Sequence, residues 1–268
     1  MEVAEHTDEL DGLPVFWRER AGEGTVALYL HDVPLSADQW APFLAAETGP
    51  AVAVDLPGFG RTGKPGSLPY DLPFYDAWLE RFLDWRGLDR VHLVMHGWGA
   101  LGLMLAQRTP ERVASVVLIA PLPLLPGFRW HRTARLLRIP VLGELLVGAT
   151  SRRLFRRTLP AELADDAWSH FDPGTQRALL RLYRSAPEDA LERAGARLED
   201  IPGRALILCG ASDPYVDADF ADMYGARMPR ATVERLYAAG HWPWLDEDRK
   251  STRLNSSHSS PSRMPSSA

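Results

Sequence analysis

One cysteine, Cys209, is the only thiol in 268 residues. That excludes a disulfide framework and a cysteine-rich metal site. Lysine is nearly missing too: Lys64 and Lys250 are the only two among 30 basic residues, so arginine carries almost all the positive charge. No apolar run reaches the roughly 18 residues that a membrane span needs. Residues 1–11 are acidic and polar, without the apolar stretch of a secretory leader. Cytoplasmic residence is the expectation from these absences. A net charge of −5 speaks against nucleic acid as a general partner. What remains, 46% apolar and 24% charged residues, is the balance of an ordinary globular domain with room for an inserted subdomain.

The composition breaks after Glu247. Eight serines fall between Ser251 and Ala268, and no apolar periodicity survives. The run from Asp248 to His258 resembles a translated sequencing-library adapter, residue for residue. Residues 248–268 are therefore set apart as a non-native tail. With Leu254 and Met264 as their only large apolar side chains, they are not expected to form an amphipathic helix.

Upstream, short apolar runs alternate with helical patterns. Strands are expected at Leu13–Glu19, Thr25–Leu30, Ala51–Val54, Val91–Met95, Val113–Ile119, Ala205–Cys209 and Thr232–Leu236. Helices are expected at Ala37–Glu47, Pro73–Trp85, from the His96–Ala100 turn to Arg108, and at Val216–Met228. Near-continuous apolar strands with helices between them read as a parallel α/β sheet of about seven or eight strands. The rhythm fails between about Pro121 and Asp200, where only helical patterns occur. The expected division is a sheet core from 1–121 and 198–247, with a helical cap from 122–197.

Three turns fall where parallel strands should end, the edge at which open α/β sheets build sites. They are His96-Gly97-Trp98-Gly99-Ala100, Gly210-Ala211-Ser212-Asp213-Pro214 and Gly240-His241-Trp242. Their order resembles the α/β-hydrolase fold: nucleophile elbow, acid, histidine. The elbow segment Leu93–Gly99 looks like that of haloalkane dehalogenases and epoxide hydrolases, which read His-Asp-Trp-Gly. His31-Asp32-Val33-Pro34 resembles their His-Gly-x-Pro oxyanion loop. Asp55–Gly60 and Arg108–Val113 are similarly placed family segments. The likeness spans nearly all of residues 13–247.

The resemblance implies an acid at Asp213, 28 residues before a base at His241. It implies oxyanion donors at the backbone N–H groups of Val33 and Trp98. It also implies halide-holding indoles at Trp98 and, from the cap, Trp168 or Trp130. A single cap tyrosine, Tyr183, favours the dehalogenase likeness over the epoxide hydrolases, which use two. The substrate is expected to be a small apolar molecule, with no cofactor and no metal.

Two positions depart from the family pattern. The nucleophile slot is Gly97, which has no side chain and cannot form the family's ester intermediate. The oxyanion loop carries Asp32 where the family has glycine. If the strands ending at these turns are neighbours, the carboxylate missing at 97 reappears beside it. Asp32 is then a candidate nucleophile, or a brace for its loop. Gly97 is expected to face Asp213 and His241 across a small void. The alternative to a hydrolase is a non-catalytic binder that retains an apolar ligand.

Several residues have structural explanations. His96 is expected to pack behind the elbow, His31 to orient the oxyanion loop, and Cys209 to be a buried inert thiol. Gly58 and Gly60 serve a tight turn rather than a phosphate loop. Eight arginines between Arg129 and Arg157 face only one acid in that stretch, Glu144. They form either a solvated cap face or a site for an anionic ligand or surface.

Overall fold

The computed structural model describes residues 2–246; the tail set apart above lies outside them. The first two strands, β1 (Val3–Leu10) and β2 (Leu13–Arg20), form an antiparallel hairpin. Asp11 and Gly12 make its turn with φ of 53° and 78°, the left-handed pair that a two-residue hairpin loop requires. The expected first strand is thus the second. Strand β1 escapes a periodicity search because only Leu10 on it is buried.

The chain continues through β3 (Val26–Leu30), a 3-10 turn at Ala37–Trp40, α1 (Ala41–Ala46) and β4 (Ala51–Val54). Next come α2 (Leu72–Trp85), β5 (Val91–His96), a 3-10 turn at Gly97–Leu101, α3 (Gly102–Arg108) and β6 (Val113–Ile119). Six helices follow: α4 (Arg132–Leu137), α5 (Leu142–Gly148), α6 (Arg152–Thr158), α7 (Ala161–Ser169), α8 (Pro173–Ser185) and α9 (Glu188–Ala194). Alternation resumes with β7 (Arg204–Gly210), α10 (Asp219–Arg227) and β8 (Ala231–Leu236).

The eight strands form one sheet in the order β1-β2-β4-β3-β5-β6-β7-β8. Strand β2 runs antiparallel to both its neighbours, and every pairing from β4 to β8 is parallel. Strands β4 and β3 carry unbroken apolar sequence because helices cover both faces of the sheet. Helix α2 shows how one cover is specified. Asp71 caps it by accepting from Phe74 N at 2.9 Å, and Pro73 fits its first turn. Tyr75, Trp78, Leu79 and Phe82, spaced three and four apart, form its buried face.

Register brings the site together. Leu30 pairs with Met95 at the ends of β3 and β5, so the loop at 31–34 lies beside the turn at 96–99. Gly210 pairs with Leu236, so the segments bearing Asp213 and His241 also leave the sheet side by side.

One buried side chain ties the path into the cap to the core. The Tyr224 hydroxyl on α10 donates to Leu122 O at 2.7 Å and accepts from Leu124 N at 2.7 Å. Tyr224→Phe would leave that buried N–H unpaired, and a loss of about 1–3 kcal/mol is expected in urea unfolding. An unchanged midpoint would mean that the segment finds another acceptor.

Candidate active site

His31 shapes the loop that follows β3. Its Nε2 accepts from Leu56 N at 2.9 Å, which leaves Nδ1–H to donate to the Asp32 carbonyl at 2.7 Å. Burial drives its pKa down to about 4, so the ring stays neutral in that tautomer. Gln39 fixes the same loop from the other side, accepting from Asp32 N at 3.3 Å while its Nε2 faces His96 Nδ1 at 3.4 Å. His96 in turn donates through Nε2 to the His241 carbonyl at 2.9 Å. Burial, then the neighbouring His241 charge, lowers its pKa to about 4. His31 and His96 are therefore supports for the loops, not reacting groups.

The elbow is tight. Gly97 has φ of 51°, the left-handed conformation favoured by glycine. A Cβ added there would fall on Cγ and Oδ1 of Asp32, far inside van der Waals contact. The expected void opposite Gly97 does not exist, because the Asp32 carboxylate fills it. Asp32 Oδ1 accepts from Trp98 N at 2.8 Å, and Oδ2 lies 3.3 Å from His241 Nε2. On the far side of the imidazole, Nδ1 lies 2.7 Å from Asp213 Oδ2.

His241 is thus held between two carboxylates. Burial alone would lower its pKa, but hydrogen bonds to Asp213 and Asp32, together with their charges, raise it to about 9. Burial would likewise raise the Asp32 pKa; the His241 hydrogen bond and the nearby ring charges outweigh it, and the carboxyl stays below its ordinary value. At neutral pH an imidazolium at His241 therefore faces a carboxylate at Asp32.

A cavity of about 480 Å³ opens over this row, lined by Asp32, Gly97, Trp98, His241, Val33 and apolar cap residues. Trp98 stacks on Trp130 with centroids 5.4 Å apart and planes at 21°. Tyr183 meets the Trp98 ring edge-on at 4.9 Å.

The profile described as Alpha/beta hydrolase family matches residues 27–251. The chain belongs to the alpha/beta hydrolase family. A haloalkane dehalogenase of Mesorhizobium japonicum is 32% identical over 244 residues, covering 83% of this chain and 76% of that protein. A haloalkane dehalogenase of Bradyrhizobium diazoefficiens is 28% identical over 274 residues, covering 88% and 87%. The crystal structure of DBJA superposes with a TM-score of 0.79 at 25% identity, covering 96% of both chains.

Against the family pattern, the expected halide pair is not assembled. Trp168 packs on Phe155 and Phe171, with centroids 5.5 Å and 6.3 Å away, and is not among the cavity-lining residues. Phe155 and Phe171 themselves line the cavity, so Trp168 forms part of the wall behind it. Trp130 is spoken for, since its Nε1 donates to Ala186 O at 2.9 Å. A different indole is unpaired: Trp242 lines the cavity, and its buried Nε1 has no partner among the described residues.

Three contributors went unnoticed in the sequence. Gln39 aligns Asp32 and His96. Tyr215, two residues after the acid, lines the cavity with its ring 5.0 Å from that of His241. His131 at the start of α4 also lines it, and its ring lies 5.2 Å from Tyr215. Only Tyr215 had a signal, its adjacency to Asp213.

Two clusters among the described residues bring carboxylate and imidazole atoms within 4.8 Å of one another: Asp32, His96 and His241, and Asp38, Asp166 and His170. Neither is a good cation cage. Both nitrogens of His96 are engaged, and Asp38 already pairs with the guanidinium groups of Arg18 and Arg61. Cys209 is free and buried, and burial raises its pKa, as befits an unreactive thiol.

Proposed function

We propose that the chain hydrolyses a small apolar substrate carrying a leaving group on saturated carbon, with Asp32 as the nucleophile. His241 is the base, and Asp213 is the acid that orients it. One observation carries this reading: the Asp32 carboxylate occupies the space that a side chain on Gly97 would enter, with Oδ1 on the Trp98 N–H and Oδ2 toward His241 Nε2. A carboxylate at that point needs no elbow side chain.

In the first step Oδ2 attacks the carbon, and the bond to the leaving group breaks with its electron pair on that group. The product is an ester on Asp32, which no longer carries charge. His241 then loses one of the two carboxylates that hold its proton, so the imidazole releases it to solvent and can accept one from water. The hydroxide formed attacks Cγ, and Trp98 N–H stabilises the oxyanion. The alcohol departs with the proton from His241, and the Asp32 carboxyl group left behind passes its own proton to the imidazole, restoring carboxylate and imidazolium. The balance is substrate and water to alcohol, proton and leaving-group anion.

The test is trapping. His241→Gln keeps an amide that can donate to a neighbouring carboxylate but cannot activate water. Single-turnover mixing with a bromoalkane, an alkyl epoxide or an alkyl ester should leave an intact-mass increase equal to the transferred group, mapped to the peptide containing Asp32. Asp32→Asn should give none. If no substrate leaves an adduct and Asp32→Asn retains wild-type turnover, the nucleophile assignment is wrong. An apolar ligand retained with neither adduct nor turnover would instead identify a non-catalytic binder.

A further inference from the structure

The exposed apolar side chains are not scattered. Six of the eight large ones among the described residues fall in one cap segment: Leu136, Ile139, Val141, Leu145, Leu146 and Leu154. Val141 is 70% exposed and Leu145 65% exposed. Val141 also holds φ of 69° at the tip between α4 and α5, a costly conformation for a β-branched residue. Three of the six, Leu136, Leu146 and Leu154, line the cavity as well. A side chain that faces both cavity and solvent stands at the mouth, so the cavity opens through this apolar patch.

Its charge is equally one-sided. Arg132 and Arg135 on α4 and Arg153 and Arg157 on α6 are exposed, with no carboxylate partner among the described residues. Glu144, the one acid in the segment, is taken by Arg184, and Asp165 pairs with Arg152 and Arg156. A chain of net charge −5 therefore presents unpaired guanidinium groups around exposed leucine and valine. Lysine-free cationic edges with an apolar centre have the chemistry of a segment that lies in a lipid headgroup layer.

We propose that the α4–α6 face of the cap docks on an anionic lipid surface, with the cavity mouth turned toward the bilayer. An apolar substrate dissolved in the lipid would then reach the cavity without crossing water. The docking surface is independent of the chemistry proposed above, and vesicle binding reads it without turnover.

The experiment is cosedimentation of the full chain with vesicles of phosphatidylglycerol and phosphatidylcholine in equal parts, against vesicles of phosphatidylcholine alone. Binding is expected only to the anionic vesicles and should fall as salt rises. Val141→Glu with Leu145→Glu removes the apolar centre, and Arg135→Glu with Arg157→Glu reverses the cationic edge. Each pair should lower the bound fraction about tenfold or more. None of these four residues lines the cavity, so hydrolysis of a water-soluble substrate should be unchanged. No binding to anionic vesicles, or binding by either variant equal to that of the unsubstituted chain, would overturn the proposal. So would a dimer in sedimentation velocity that Val141→Glu with Leu145→Glu dissolves without any vesicle binding, since the patch would then belong to a second copy.

Discussion

Exchanging residues 32 and 97, by Asp32→Gly together with Gly97→Asp, should return the turnover that each single change abolishes. Asp32→Gly removes the only carboxylate among the described residues that faces His241 Nε2, and a loss of at least about 10³-fold is expected for a nucleophile. Gly97→Asp alone fails for another reason. Its Cβ falls on the Asp32 carboxyl, its backbone must hold φ of 51°, and a second negative charge enters the same place. Left-handed backbone costs a non-glycine residue about 1–2 kcal/mol, and the clash and like-charge repulsion add to it. A loss of about 3 kcal/mol or more is expected in urea unfolding. In the double variant the clash is gone and only the backbone cost remains. Trapped adduct should then move from the peptide holding residue 32 to the one holding residue 97. A double variant that folds but forms no adduct, or an Asp32→Gly protein that still turns over, would break the assignment.

Raising the pH through about 9 should cost the protein on the order of 3 kcal/mol of stability. His241 has an ordinary value of 6.5, raised to about 9 in the fold because Asp213 and Asp32 outweigh its burial. Between those values the folded state binds a proton that the unfolded state lacks, so stability falls as pH rises. The contribution is complete below pH 6.5 and gone above about 9. Asp32→Asn removes one of the two carboxylates, so the fall should shrink and shift toward lower pH. Melting temperatures of both proteins across this range give the comparison. Superimposable profiles would mean that His241 and Asp32 do not share a proton.

Much of this architecture is legible in the residues, and the failures have physical causes. Apolar runs such as Ala51–Val54 announce a parallel sheet because a strand covered on both faces has no polar side. Strand β1 has almost no buried face, so its pattern is silent, although Asp11-Gly12 carries the hairpin turn in plain view. The pairing of Asp213 with His241 was legible only through the family resemblance of the two turns that carry them, and the 2.7 Å contact between them fits it. Trp168 was not, because a nine-residue helix does not reveal which neighbours stand between its face and the cavity. Gln39 was missed because its role exists only once β3 and β5 bring their loops together. The adjacency of Asp32 and Gly97 followed from strand order, but the filled space between them depends on the direction of an absent Cβ.

That filled space constrains how such an arrangement can be reached from one with the carboxylate on the elbow. The two positions are alternative anchors for a single charge. Losing the elbow carboxylate first leaves a chain with no nucleophile, while gaining Asp32 first puts two side chains in one volume. On the proposed chemistry, neither single-substitution intermediate would keep both folding and a nucleophile. The site thus offers two anchoring positions and room for one carboxylate, so moving the charge from one to the other requires both substitutions together.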